Sequence, residues 1–152
     1  MKIIIDGPDG SGKTTLAQQL SHQTGYPIIH RSNPKSQAEK DCMMQGYLDA
    51  IKSNKNCIFD RSWYSEMVYG PVMRDDSVIG YPQMYELEKM LAKHGALIIH
   101  ATAPLKTLWK RCQERGETYI STEATLSLIR DGFITLMNVP HIIPVTTYEY
   151  TS

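Results

Sequence analysis

Gly7-Pro8-Asp9-Gly10-Ser11-Gly12-Lys13-Thr14 is a complete G-x-x-x-x-G-K-[ST] loop, and its reading decides the fold. Before it stands Met1-Lys2-Ile3-Ile4-Ile5-Asp6, a short β-branched run. After it comes Thr15-Leu16-Ala17-Gln18-Gln19-Leu20, a good helix former. A strand, this loop and a helix in that order form a phosphate cradle. The glycines let successive backbone N–H groups turn inward on anionic oxygens, and the helix N-terminus adds partial positive charge. Lys13 is expected to reach the β- and γ-phosphates, and Thr14 to offer its hydroxyl to Mg²⁺. Gly7, Pro8, Asp9, Gly10, Ser11, Gly12, Lys13, Thr14 and Thr15 are therefore the expected nucleoside triphosphate contacts.

The remaining composition narrows the partner. With 152 residues the chain is expected to form one domain, residues 1–152, around one core. Sixteen basic and sixteen acidic side chains cancel, so no field draws nucleic acid or an anionic membrane, and a small nucleotide is the expected partner. Cys42, Cys57 and Cys112 lack ligand spacing, which suits reduced thiols in a cytoplasmic protein. The hydrophobic runs are strand-sized, too short to cross a membrane.

Five apolar runs read as buried parallel strands: Lys2–Asp6, Tyr26–His30, Cys57–Asp60, Ala96–Ala101 and His141–Thr146. Helical patterns separate them. Leu16 and Leu20 stripe the first helix, and a second covers Gln37–Ser53. A short helix lies near Trp63–Tyr69, and Met84, Leu87 and Leu91 mark the next. Leu105, Leu108, Trp109 and Cys112 define a fifth, and Leu126, Ile129, Phe133 and Leu136 a sixth. The segment Gly70–Pro82 reads as a loop. Alternating strands and helices give an α/β fold of three layers, a parallel sheet with helices on both faces. Pro27 and Pro144 push the second and last strands to the edges, because proline cannot donate to a central ladder. The expected order is 2-3-1-4-5, which sets Asp60 beside the phosphate loop.

Asp60 at that strand end can serve the metal that Thr14 holds, and Arg61 can grip a second phosphate through two donors. The competing reading is a local salt bridge that caps the next helix. Arg111 and Arg115 share one flank of the fifth helix, one turn apart, ahead of a short lid around 115–122. There they can swing onto the transferring phosphoryl group. Pairing with Glu114 or Glu117 on a solvated face is the plainer alternative.

These elements together resemble the thymidylate kinase family and its deoxynucleoside kinase relatives among P-loop kinases. The resemblance rests on Ile5 to Thr15, on Asp60-Arg61 with Ser65, Tyr69 and Arg74, and on Ala103-Pro104 with Arg111 and Glu114-Arg115-Gly116-Glu117. It implies a P-loop kinase fold and a homodimer. Asp9 would contact the acceptor sugar, Asp60 the metal and Arg61 the acceptor phosphate, with Ser65, Tyr69 and Arg74 lining the acceptor pocket. Gly10 replaces a loop arginine, which suits catalytic arginines supplied by Arg111 and Arg115. Ser62 departs from the family's usual aromatic, Gly70 from its glutamine, and Glu39–Tyr47 shows no counterpart of the thymine-gripping Phe and Arg. A short, phage-type member acting on a related pyrimidine nucleotide is consistent with these departures.

The second strand ends Ile28-Ile29-His30-Arg31 with no acid, and a basic pair suits an anionic acceptor better than a hydroxyl that needs a base. His30 itself reads as a strand-end histidine bonded to backbone. The expected reaction moves the γ-phosphoryl of Mg-ATP onto a pyrimidine nucleoside monophosphate, dTMP-like. A hydroxyl-directed kinase and a nucleotide-dependent switch are the alternatives, although Asn54-Lys55-Asn56-Cys57 fails the guanine-reading N-K-x-D pattern.

Overall fold

The computed structural model describes residues 1–31, 34–53, 55–116 and 119–150. Five parallel strands, β1 (Lys2–Asp6), β2 (Ile28–His30), β3 (Cys57–Asp60), β4 (Ala96–Thr102) and β5 (Val145–Glu149), form one sheet ordered β2-β3-β1-β4-β5. The order is the one that proline placement predicts. Both prolines sit just before an edge strand and contribute only carbonyls: Ile58 N–H donates to Pro27 O and Ile98 N–H to Pro144 O, each at 2.9 Å.

Among the described residues six helices complete the layers: α1 (Lys13–Thr24), α2 (Gln37–Ser53), α3 (Trp63–Arg74), α4 (Tyr81–Ala92), α5 (Leu105–Glu114) and α6 (Glu123–Asn138). Side chains alternate across the central strands. Ile3, Ile5, Ile58, Ile99 and Ala101 meet Leu16 and Ala17 of α1, while Ile4, Phe59 and Ile98 turn to the other face and join Ile51, Trp63, Leu87, Leu126 and Phe133. No helix among the described residues is long and apolar enough to cross a membrane.

Several boundaries differ from expectation: β2 begins at Ile28, not Tyr26, and is largely exposed, β4 ends at Thr102, one residue past Ala101, and the larger changes are at β5 and α3. The last strand begins at Val145, not His141. The run His141-Ile142-Ile143 is not strand: His141 turns onto the buried Glu88, and Ile143 packs into the core. Most of β5 is exposed, so its polar sequence concealed it. The helix α3 also runs on past Tyr69 into the segment read as a loop. It passes through Pro71, losing one internal hydrogen bond, because Val72 and Met73 still pack on the core. It stops at Asp75, whose left-handed φ of 59° turns its N–H back to Gly70 O. A Cβ at Gly70 would lie 2.4 Å from Asp76 O, which explains why glycine replaces the glutamine of the resembling family.

The Glu88 site couples this packing to pH. Its carboxylate accepts the Tyr64 hydroxyl at 2.9 Å and the Ile142 N–H at 2.8 Å, and His141 Nδ1 lies 2.9 Å from it. Burial opposes protonation of His141, but the bonds to Glu88 and Leu136 O outweigh it and raise its pKa above the ordinary value. A histidine raised in the folded state stabilises fully below its unfolded value of about 6.5 and loses that contribution as pH climbs through the folded value. The melting temperature of the wild type should therefore fall from pH 6 toward pH 8 more steeply than that of His141→Gln. Parallel curves for the two proteins would refute the assignment.

Candidate functional site

The phosphate loop is folded by contacts that only its sequence permits. Gly7 has φ 158°, and a Cβ there would lie 2.0 Å from Ala101 O, so the loop passes too close to β4 for any side chain. Just before it, Asp6 is fully buried at the end of β1. Its carboxylate accepts the N–H groups of Gly7 (2.9 Å), Ser62 (3.0 Å) and Ser65 (2.9 Å), together with the hydroxyls of both serines. One side chain thus pins the loop to the start of α3, where Ser62 is the N-cap. Parallel pairing of Ile5 with Asp60 brings the ends of β1 and β3 side by side.

Lys13 opens α1 and points back into the loop, donating to Gly7 O at 2.8 Å and Pro8 O at 3.0 Å. Burial, with help from the Arg61 charge, draws its ammonium down to about 8, and Asp9, Asp6 and Asp60 oppose that fall. Thr14 Oγ1 donates to Asp60 Oδ2 at 2.9 Å, while Thr15 is exposed on the first turn of α1. Ser11 Oγ is buried with no hydrogen-bond partner among the described residues. His30, expected to bond backbone, instead places Nδ1 3.1 Å from Asp60 Oδ2, because β2 and β3 pair His30 with Asp60 in register.

Arg61 does not pair with its neighbour Asp60, so the helix-capping salt bridge is absent. It adopts a left-handed φ of 73°, a strain of about 1–3 kcal/mol for a residue other than glycine. Its N–H donates to Ile5 O at 3.0 Å, and its guanidinium turns to Asp9, with Nη2 2.8 Å from Oδ1. Burial disfavours the Asp9 charge, but Lys13 and Arg61 outweigh it and hold the carboxyl below its ordinary value. Arg61 Nη1 is buried with no partner among the described residues.

Three expected pocket residues also hold partners within the protein. Tyr69 is buried behind the loop: its hydroxyl accepts the Asp9 N–H at 3.0 Å, and its ring lies 5.3 Å from the Arg61 guanidinium. Ser65 gives its N–H and hydroxyl to Asp6. Arg74 engages both oxygens of the buried Glu66, which also accepts the Val78 N–H at 3.1 Å. Tyr69 and Ser65 brace the loop, Ser65 also facing the narrow cleft beside Arg61, and the partly exposed Arg74 holds Glu66; sequence spacing alone could not separate a lining from a backing role.

Two cavities meet at His30. A polar one of about 130 Å³ is lined by Asp9, Lys13, Thr14, Asp60, Arg61 and Arg115. A larger one of about 380 Å³ lies between the end of β2 and α2, with Arg31, Glu39, Cys42, Met43 and Tyr47 in its wall. Arg115 thus joins the loop as expected. Arg111 lies beside Gly12, stacked on Tyr150. Glu114 is 4.0 Å from Lys110 and pairs with neither arginine. Within the expected lid Ile120 is buried, and Glu117 and Thr118 lie outside the described residues. Asp6 was missed as an organiser, although an acid ending an apolar strand, with serines three apart after the partner strand, carries that signal.

The polyphosphate kinase 2 (PPK2) family profile matches residues 1–118. The chain belongs to the polyphosphate kinase 2 family. It is 31% identical over 133 residues to the prophage-derived uncharacterized protein YorR of Bacillus subtilis, spanning 85% of this chain and 79% of that one. The adenylate kinase of Kocuria rhizophila is 31% identical over 141 residues (85% and 75%), and the deoxyguanosine kinase of Lactobacillus johnsonii is 29% identical over 157 residues (82% and 69%). The crystal structure of YorR in complex with phosphorylated GDP superposes with a TM-score of 0.80 at 27% identity, covering 99% of this chain and 85% of that one. Deoxyadenosine kinase from M. mycoides shares the fold at a TM-score of 0.67 and 18% identity, over 98% and 91% of the chains. This PPK2-family protein is a P-loop nucleotide kinase, a phosphotransferase. Of the relatives named here, three carry a kinase name, a deoxyguanosine kinase, an adenylate kinase and a deoxyadenosine kinase.

Proposed function

We propose that this PPK2-family chain acts as one kinase domain that transfers the γ-phosphoryl of Mg-ATP to the phosphate of a deoxynucleoside monophosphate. The observation that carries this reading is Arg61 Nη1, a buried donor with no partner among the described residues, at the junction of the loop and its neighbouring cavities. An unsatisfied buried donor is costly, more so on a charged group, and an acceptor phosphate would satisfy it. The acids nearest the reacting atoms are already engaged, Asp9 with Arg61 and Asp60 with Thr14 and His30. An anionic acceptor needs no base, only positioning and neutralisation.

Thr14 and Asp60 fit Mg²⁺. Ligands at about 2.1 Å set at right angles stand about 3 Å apart, and Thr14 Oγ1 and Asp60 Oδ2 are separated by 2.9 Å. When bound there, the ion neutralises phosphate charge. The remaining work belongs to the chain. Gly7–Thr15 hold the donor's polyphosphate, with Lys13 on its β- and γ-oxygens, while Asp9 orients the acceptor sugar and Arg61 its phosphate. An acceptor phosphate oxygen attacks the γ-phosphorus, the bridging P–O bond to ADP breaks, and Arg115 balances the charge spread over the equatorial oxygens. Arg111 holds the donor phosphates at Gly12, and the lid excludes water.

The large cavity beside His30 receives the acceptor base. Likeness to thymidylate kinases favours dTMP. The deoxyguanosine kinase relatives and the phosphorylated GDP bound by YorR bring guanine nucleotides into consideration, and a hydroxyl acceptor as the second reading. The test is product analysis with ATP, or inorganic polyphosphate as the family's name suggests, against dTMP, dUMP, dGMP, dAMP and deoxyguanosine. Nucleoside diphosphate formation is expected. Monophosphate from deoxyguanosine would establish the hydroxyl-directed reading, and hydrolysis without a phosphorylated product would exclude both.

Arg115→Ala should lower kcat by about 10²-fold while weakening ATP binding only a fewfold, because its charge is needed chiefly in the transition state. Unchanged turnover would remove Arg115 from the mechanism.

A further inference from the structure

Arg111 makes a contact that its phosphate role does not require. Its guanidinium carbon lies 3.9 Å from the centroid of the Tyr150 ring, closer than the 5.3 Å and 5.4 Å of the Arg61–Tyr69 and Arg31–Tyr47 pairs. Tyr150 directly follows β5, and its N–H donates to Thr102 O at 2.8 Å, which prolongs the β4–β5 ladder by one residue. The sheet therefore fixes where this ring stands. The ring also borders the phosphate loop: a Cβ built on Gly12 would lie 3.4 Å from both Tyr150 Cδ2 and Arg111 Nη1. Arg111 Nη1 is buried and has no hydrogen-bond partner among the described residues. A guanidinium clamped on an aromatic face, with a donor left over beside the loop glycine, is preorganised for an anion at that point.

We propose that Tyr150 is a positioning residue for the donor nucleotide: it holds Arg111 flat against Gly12 so that Nη1 meets the donor's phosphates. This inference rests on the kinase reading of the loop. It assigns a task to the end of the fifth strand, where the sequence carries no motif. An arginine without such a platform spreads over many rotamers, and ordering it opposes binding; the ring removes that opposition before the nucleotide arrives.

Calorimetric titration with Mg-ATP tests it without reference to the acceptor. Tyr150→Ala should weaken binding by about 2- to 30-fold, the range of a cation–π contact from exposed to desolvated. Tyr150→Phe, which keeps the ring, should restore most of the affinity, and Tyr150→Leu, which keeps bulk without a π face, should not. In an Arg111→Ala background the loss of Tyr150 should have no further effect. Melting temperatures confirm that each variant is folded. Wild-type affinity in Tyr150→Leu, or an undiminished effect of Tyr150→Ala when Arg111 is absent, would overturn the proposal. The kinase reading fails separately, through absence of transfer in the product panel by the unaltered protein.

Discussion

Lys13→Ala is expected to lose about 10²–10³-fold or more of its phosphotransfer rate while keeping its fold, the scale seen when a single preorganised charge-stabilising donor is removed from a water-poor site. The lysine is buried, and its ammonium donates to the carbonyl oxygens of Gly7 and Pro8 within the field of Asp9, Asp6 and Asp60. Its pKa of about 8 leaves it mostly charged at pH 7. A desolvated cation interacts more strongly with phosphate than a solvated one. The substitution removes two hydrogen bonds to loop carbonyls and no core packing, so circular dichroism should show intact helices beside the abolished turnover. Activity within tenfold of the parent would displace Lys13 from the centre of the mechanism.

The second large effect is on stability. Asp6→Ala should destabilise the protein by about 3–5 kcal/mol, because three backbone N–H groups lose their acceptor in a fully buried place, each at the lower part of the usual range of about 1–3 kcal/mol since water can enter the space the side chain leaves. The hydroxyls of Ser62 and Ser65 can rotate toward other partners; the N–H groups of Gly7, Ser62 and Ser65 cannot. For a chain of this size such a loss lowers the melting temperature by about 10–15 °C. It should also loosen the phosphate loop, since Asp6 joins that loop to α3. A melting temperature within 3 °C of wild type would show that the loop holds itself.

Much of this fold is legible in the residues. The loop with its flanking strand and helix fixed the architecture, Pro27 and Pro144 ordered the sheet, and α2 begins and ends where its pattern does. The errors have physical causes. At the edge, β5 needs no apolar face, whereas the apolar run just before it is buried without strand geometry and so mimics the strand's start. Helix α3 survives Pro71 because tertiary packing outweighs one lost hydrogen bond. Within the site, Thr14, Asp60, Asp9 and Arg61 converge because strand register carries them together. Tyr69, Ser65 and Arg74 share the helix α3 and each holds a partner within the protein, which residue spacing does not encode without knowing which side the core occupies. Tyr150 reaches Arg111 only through the sheet, over a separation that no local pattern spans.

The cysteines turn the larger cavity into something that can be watched. Cys42 is exposed in its wall, while Cys57 and Cys112 are buried, and burial raises the Cys57 thiol pKa further from reactivity. A thiol-directed fluorophore would therefore attach at one place, on the rim where the second substrate is expected to enter. Emission from that single label could follow occupancy in real time, with no residue of the phosphate loop altered.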